Sequence, residues 1–103
     1  MTNKIENEKI LTYDIGQAIF MMKRGIKMAR LGWNGKNMFA VYSPGGSLPA
    51  GRFFSEALQE YVLKNGGEMF IRPCLLLKTA QNDICYWTPS VSDILADDWV
   101  VVQ

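Results

Sequence analysis

The chain has 103 residues, 49% of them hydrophobic, with 11 basic and 10 acidic side chains and a net charge of +1. That is enough for one small core and too nearly neutral for the electrostatic grip of a nucleic-acid binder, so no nucleic-acid partner is expected. Histidine is absent, which removes the commonest general acid/base and the commonest metal ligand, and two cysteines alone make no zinc site.

Residues 1–11 are mostly polar and read as a mobile lead-in to a single domain over 12–103. They contain no signal-peptide apolar region, and no apolar run reaches 18 residues. The expectation is therefore a cytoplasmic protein without a membrane partner. Ile15, Ala18, Ile19 and Met22 recur at i, i+3, i+4 and i+7, which predicts a helix over 13–24. Thr12 is its expected N-cap, Asp14 favours its dipole, and Gly25 is its stop. Met21 and Met22 read as core filler rather than a cofactor feature.

A strand over 27–31 and another over 38–42 flank Trp33-Asn34-Gly35-Lys36. Asn34-Gly35 is the dipeptide that most readily takes a tight hairpin turn. A surface turn has no use for an indole, so Trp33 either packs back into the core or walls a binding site. Residues 43–51, rich in Pro and Gly, read as a loop. A second helix is expected over 53–64, with Ala57, Leu58, Tyr61 and Val62 on one side and Asn65-Gly66-Gly67 at its end.

The apolar run 69–77 contains Arg72-Pro73, and a proline cannot donate to a ladder, so its first part is not a central strand. A turn at 80–83 leads to a returning strand over 84–87. Centred near Gln81-Asn82 or Asn82-Asp83, that turn sets Cys85 opposite 78–80 and too far from Cys74 for a disulfide, so both cysteines read as small apolar residues in a reducing compartment. Ser90 and Asp93 then form a capping box for a helical turn over 91–96, and 98–102 is a final strand. The fold class is α+β: a small antiparallel sheet of about five strands, two main helices and a short C-terminal helical turn.

No Ser-His or Cys-His pair is possible, and no phosphate-binding glycine motif is present. Asp93, Asp97 and Asp98 could hold Mg²⁺ or act as acid and base, but they read more simply as capping and solvation around a strand start. What remains suits an aromatic, anionic small molecule. Trp33 and Trp87 each stand at a strand–turn junction, where a ring can stack on a base. Asn34, the Gly35 N–H and Lys36 can donate to phosphate, with Arg30 a second candidate cation. Ser90 and Asp93 open a helix, and the carboxylate can accept from ribose hydroxyls. Trp99, set among valines, reads as core.

The stretches Tyr13-Asp14-Ile15-Gly16-Gln17-Ala18, Arg30-Leu31-Gly32-Trp33-Asn34-Gly35-Lys36, Trp87-Thr88-Pro89-Ser90 and Asp93-Ile94-Leu95-Ala96-Asp97-Asp98-Trp99 resemble, in that order, the second Thoeris anti-defence family of phage and prophage proteins. The resemblance covers 12–42 and 75–102, whereas 43–71 match little. Gln81-Asn82 replaces a common Asp-Gly turn, and Tyr86 stands where a proline is frequent. The resemblance implies a homotetramer that binds cyclic ADP-ribose isomers, in some members cyclic dinucleotides, between subunits and sequesters them without cleavage in the host cytoplasm. It implies a pocket containing Trp33, Asn34, Ser90 and Asp93, to which the motifs add Gly35, Lys36, Trp87 and Pro89. No cofactor, metal or catalytic residue is expected. Two other readings stay open: a small protein-interaction module, and a carboxylate-dependent nucleotide hydrolase.

Overall fold

The structure is a computed structural model and describes residues 10–103; most of the expected lead-in, residues 1–9, lies outside the described residues. The chain forms two compact units. One comprises the described residues up to Tyr42 together with Leu75–Gln103, and the other is Ser43–Cys74.

In the first unit, helix α1 (Ile15–Met22) begins two residues later than the pattern predicts. Tyr13 exchanges backbone hydrogen bonds with Trp99, donating to its carbonyl at 2.8 Å and accepting from its N–H at 3.1 Å, and this holds Tyr13 extended. The N-cap is therefore Asp14 and not Thr12. Its carboxylate accepts from the Gln17 N–H at 2.8 Å while the Gln17 side chain accepts from the Asp14 N–H at 3.0 Å, a complete capping box. Gly25, at φ +88°, ends the helix: its N–H bonds the Met22 carbonyl and the next N–H bonds that of Met21.

Strands β1 (Met28–Arg30) and β2 (Phe39–Ser43) pair antiparallel with Met28 opposite Ala40. That register leaves eight residues, 31–38, between the strands, so the tight two-residue turn expected at Asn34-Gly35 does not form. The left-handed residue of the loop is Asn37, at φ 59°. The cause is tertiary: Trp33 folds back onto the core, and the Leu31 and Gly32 N–H groups bond Asp98.

In the second unit, β3 (Gly46–Pro49) pairs antiparallel with β4 (Glu68–Ile71). The expected loop over 43–51 thus contains a strand. A partner strand overrides the local Pro/Gly signal, with Pro49 at the strand's last position, where a missing donor matters least. Gly45, at φ +76°, admits the turn because a Cβ there would lie 2.1 Å from the Ile71 carbonyl oxygen. A 3₁₀ turn (Ala50–Arg52) precedes helix α2 (Glu56–Lys64), whose N-cap is Ser55; the helix is shorter than the expected 53–64 because the Phe53 N–H bonds the Ala50 carbonyl instead. Of its predicted apolar face only Val62 is buried, and Ala57, Leu58 and Tyr61 are exposed.

After the break at Arg72-Pro73 come β5 (Cys74–Lys78) and β6 (Ile84–Tyr86), antiparallel, with Cys85 opposite Leu77. This register is one position beyond the predicted 78–80, and both cysteines are free. Helix α3 (Val91–Leu95) follows its Ser90 cap, and β7 (Trp99–Val101) closes the chain antiparallel to β1. The main sheet has the order β6-β5-β2-β1-β7, which with the helices makes the fold α+β, as the sequence predicts. Ala18 and Met22 of α1 pack on Met28, Ala40 and Trp99, all fully buried or nearly so, and Leu75 and Leu77 flank them. Trp99 is core, as expected.

Candidate functional site

The strand order places the β1–β2 loop, the end of β6 and the start of α3 around one buried carboxylate. Asp93 is 8% exposed, a burial that an ionised group tolerates only with several donors. It has them. Oδ1 accepts from Arg30 Nη1 and from the Trp33 indole Nε1, each at 3.0 Å, and Oδ2 accepts from the Ser90 N–H at 3.1 Å. Ser90 Oγ accepts in return from the Asp93 N–H at 3.1 Å, completing the capping box foreseen from the sequence. The Asp93 main-chain carbonyl accepts a second indole, Trp99 Nε1, at 3.1 Å. One residue therefore orients two of the three tryptophans.

The three indoles pack mutually edge-on. Trp33 and Trp99 have centroids 5.3 Å apart, Trp87 and Trp99 5.8 Å, and Trp33 and Trp87 6.2 Å, with interplanar angles of 67° to 84°. Such contacts contribute about 0.5–1.5 kcal/mol per pair beyond area burial, and they hold each ring in one orientation. Trp33 and Trp87 keep part of their surface exposed while Trp99 keeps none. Of the two alternatives for Trp33, packing against the core is the one seen, with part of the residue left exposed. Trp87 is fixed by its backbone as well, its N–H bonding the Leu75 carbonyl at 3.0 Å.

Arg30 joins this cluster to Asp98. Its Nε donates to Asp98 Oδ1 at 2.8 Å, and Asp98 Oδ2 accepts from the Gly32 N–H at 2.8 Å. The Asp98 and Asp93 carboxylates hold the Arg30 guanidinium above its ordinary pKa. For Asp93, burial alone pushes the carboxyl up, but the bonds from Trp33, Ser90 and Arg30 together outweigh it, and the net shift is downward. Asp98 is lowered first by Arg30, against some desolvation, and then by the Gly32 N–H. Arg30 is therefore committed to two carboxylates rather than to a ligand phosphate. The acidic cluster seen in the sequence resolves into this ion pair, with only Asp97 pointing to solvent.

The remaining candidates occupy the loops. Asn34 and Lys36 are exposed beyond Trp33. Gly35 is half-buried where a Cβ would lie 2.4 Å from Met38 Sδ and 3.0 Å from Ala80 Cβ, so a larger residue there requires the Met38 side chain to move. Pro89 is half-buried just before the exposed Ser90 cap. The structure thus gathers Trp33, Trp87, Ser90 and Asp93 into one cluster and carries Asn34 and Lys36 on its rim. Two shallow depressions lie elsewhere. One, of about 350 Å³, is lined by Ile10, Leu11, Tyr13, Val100, Val101 and Gln103; the other, of about 250 Å³, lies in the second unit around Gly45, Gly46 and Ile71. Sequence reasoning missed the Arg30 fork and the part played by Asp98. The available signal was Arg30 at the end of an apolar stretch, two positions before Gly32.

A family model described as a Thoeris anti-defense 2-like domain matches residues 13–102. The chain is also 38% identical over 90 residues to a protein named Thoeris anti-defense 2 from Bacillus phage SP01, covering 85% of this chain and 92% of that relative.

Proposed function

Since the chain belongs to the Thoeris anti-defense 2-like family, we propose that it counters Thoeris immunity by binding and sequestering a cyclic ADP-ribose-type nucleotide without cleaving it. The observation that carries the reading is the family match across 13–102, which includes both the Trp33 loop and the Ser90–Asp93 cap. The geometry supports it. A partly exposed indole held by Asp93 is followed along the same loop by exposed Asn34 and Lys36, residue types that suit a purine and a phosphate.

Binding without chemistry is favoured by the use made of the carboxylates. Asp93 and Asp98 are engaged by Arg30, Trp33 and backbone N–H groups, and so are poorly placed to activate water. The ligand site is completed between copies of the chain, in a homotetramer. Ile84, Tyr86, Val91 and Leu95 leave apolar side chains exposed, which favours self-association. Among the described residues no helix is long and apolar enough to cross a membrane, in keeping with action in the host cytoplasm.

The test is to incubate the protein with cyclic ADP-ribose isomers and cyclic dinucleotides, denature it by heat, and analyse the supernatant. Depletion followed by release of intact ligand is expected. Converted ligand would mean an enzyme, and no depletion would leave a protein-interaction module.

A further inference from the structure

Eight residues between β1 and β2 would form a mobile loop if nothing held its base. Asp98 holds it at adjoining points: its main-chain carbonyl accepts from the Leu31 N–H at 3.1 Å, Oδ2 accepts from the Gly32 N–H at 2.8 Å, and Oδ1 accepts from Arg30 Nε at 2.8 Å. The approach is close. A Cβ on Gly32 would lie 2.9 Å from Asp98 Oδ2 and 3.1 Å from Arg30 Nη2. Arg30 then passes the constraint to Asp93, which holds the Trp33 indole at the far side of the same loop base.

From these contacts we propose that Asp98 is a positioning residue for the ligand loop: by accepting from Gly32 and Arg30 at once, it sets residues 31–38 in the ligand-ready conformation while touching no ligand itself. The inference rests on the reading of that loop as part of the nucleotide site. Its chemistry is specific to a carboxylate. Two donors converge on the two oxygens, and an isosteric carboxamide offers one acceptor and sets its own donor against the other. With the loop correctly set in only a fraction of molecules, ligand captures only that fraction, and the apparent affinity falls in proportion.

The experiment compares wild type with Asp98→Asn, Gly32→Ala and, as a control, Asp97→Asn, whose side chain points to solvent. Hydrogen exchange on the unliganded protein reports the loop, and binding kinetics with cyclic ADP-ribose report its consequence. In Asp98→Asn the Trp33 indole and the hydrogen-bonded Leu31, Gly32 and Trp33 amides should exchange about tenfold faster, the scale of one lost bond to a charged group, while α1 amides stay as in wild type. The association rate should fall with the dissociation rate unchanged. Gly32→Ala should do the same through its clash alone, with no change of charge, and Asp97→Asn should do neither. Unaltered loop exchange in Asp98→Asn would overturn the proposal. So would an equal rise throughout α1, which is global destabilisation, or faster dissociation at unchanged association, which is direct ligand contact. If wild type does not bind cyclic ADP-ribose, the functional reading fails on that arm, and the exchange measurement alone decides the role of Asp98.

Discussion

Asp93 ties distant parts of the chain together, because its buried carboxylate takes donors from β1, from the β1–β2 loop and from its own helix cap. Asp93 and Asp98 both titrate below their ordinary values, so the sign of their linkage follows. Their contribution is fully present above the unfolded carboxylate value of about 3.9 and is lost as pH falls through the lower folded values. Melting temperature should therefore be flat from neutral pH to about 5 and drop below about 4, and Asp98→Asn should start lower and show a shallower acid limb. A pH series of thermal melts on both proteins checks this. Trp33 also belongs partly to the core, so Trp33→Ala should remove ligand binding and cost about 3 kcal/mol of stability as well. Trp99, fully buried among the other indoles, should cost about 5 kcal/mol as alanine, comparable to the whole stability of a small domain. Melting and calorimetric titration separate the two. A Trp33→Ala protein that melts like wild type would mean its ring contributes to the ligand alone.

At the level of elements, α1 is a short helix with both ends closed by local chemistry. Asp14→Ala breaks the capping box and should lower stability by about 1 kcal/mol, or about 4–8 °C in a domain of this size. Gly25→Ala meets nothing within 4 Å, so its cost is the positive φ of +88° alone, and it should be of similar size. Double mutation should add, since the two ends share no partner. In α2 the same argument predicts little: Leu58, Tyr61 and Leu63 are exposed, so alanine at any one of them should change stability by less than about 0.5 kcal/mol in a dilute monomer. A larger loss that grows with protein concentration would place that face in a subunit contact.

For the whole molecule, the predictions concern association and charge. Light scattering at micromolar concentration should give four times the chain mass. A monomer would remove any pocket completed between copies and, with it, the proposed mode of binding. Ligand affinity should fall only gently with salt, because Lys36 is the one exposed cation on the loop and few contacts are screened. A steep salt slope together with binding to long DNA would instead mark a nucleic-acid protein.

Much of this was legible in residue order. The period of Ile15, Ala18, Ile19 and Met22 determined α1, Gly25 its end, Ser90 and Asp93 the cap of α3, and Pro73 kept the first part of 69–77 out of the main sheet. Each is a local effect, complete within a few residues of chain. The spaced motifs around Trp33, Trp87 and Asp93 likewise identified the family that the match over 13–102 shows. Tertiary structure decided what depended on partners far along the chain. Tyr13 is extended because Trp99, 86 positions on, takes its hydrogen bonds. Gly46–Pro49 is a strand because Glu68–Ile71 lies beside it. The Asn34-Gly35 turn opened into an eight-residue loop because Asp98 and Asp93, 66 and 60 residues from their partners, bind its base and its indole. A buried carboxylate selects its donors by proximity in space, and separation along the sequence carries no record of that choice.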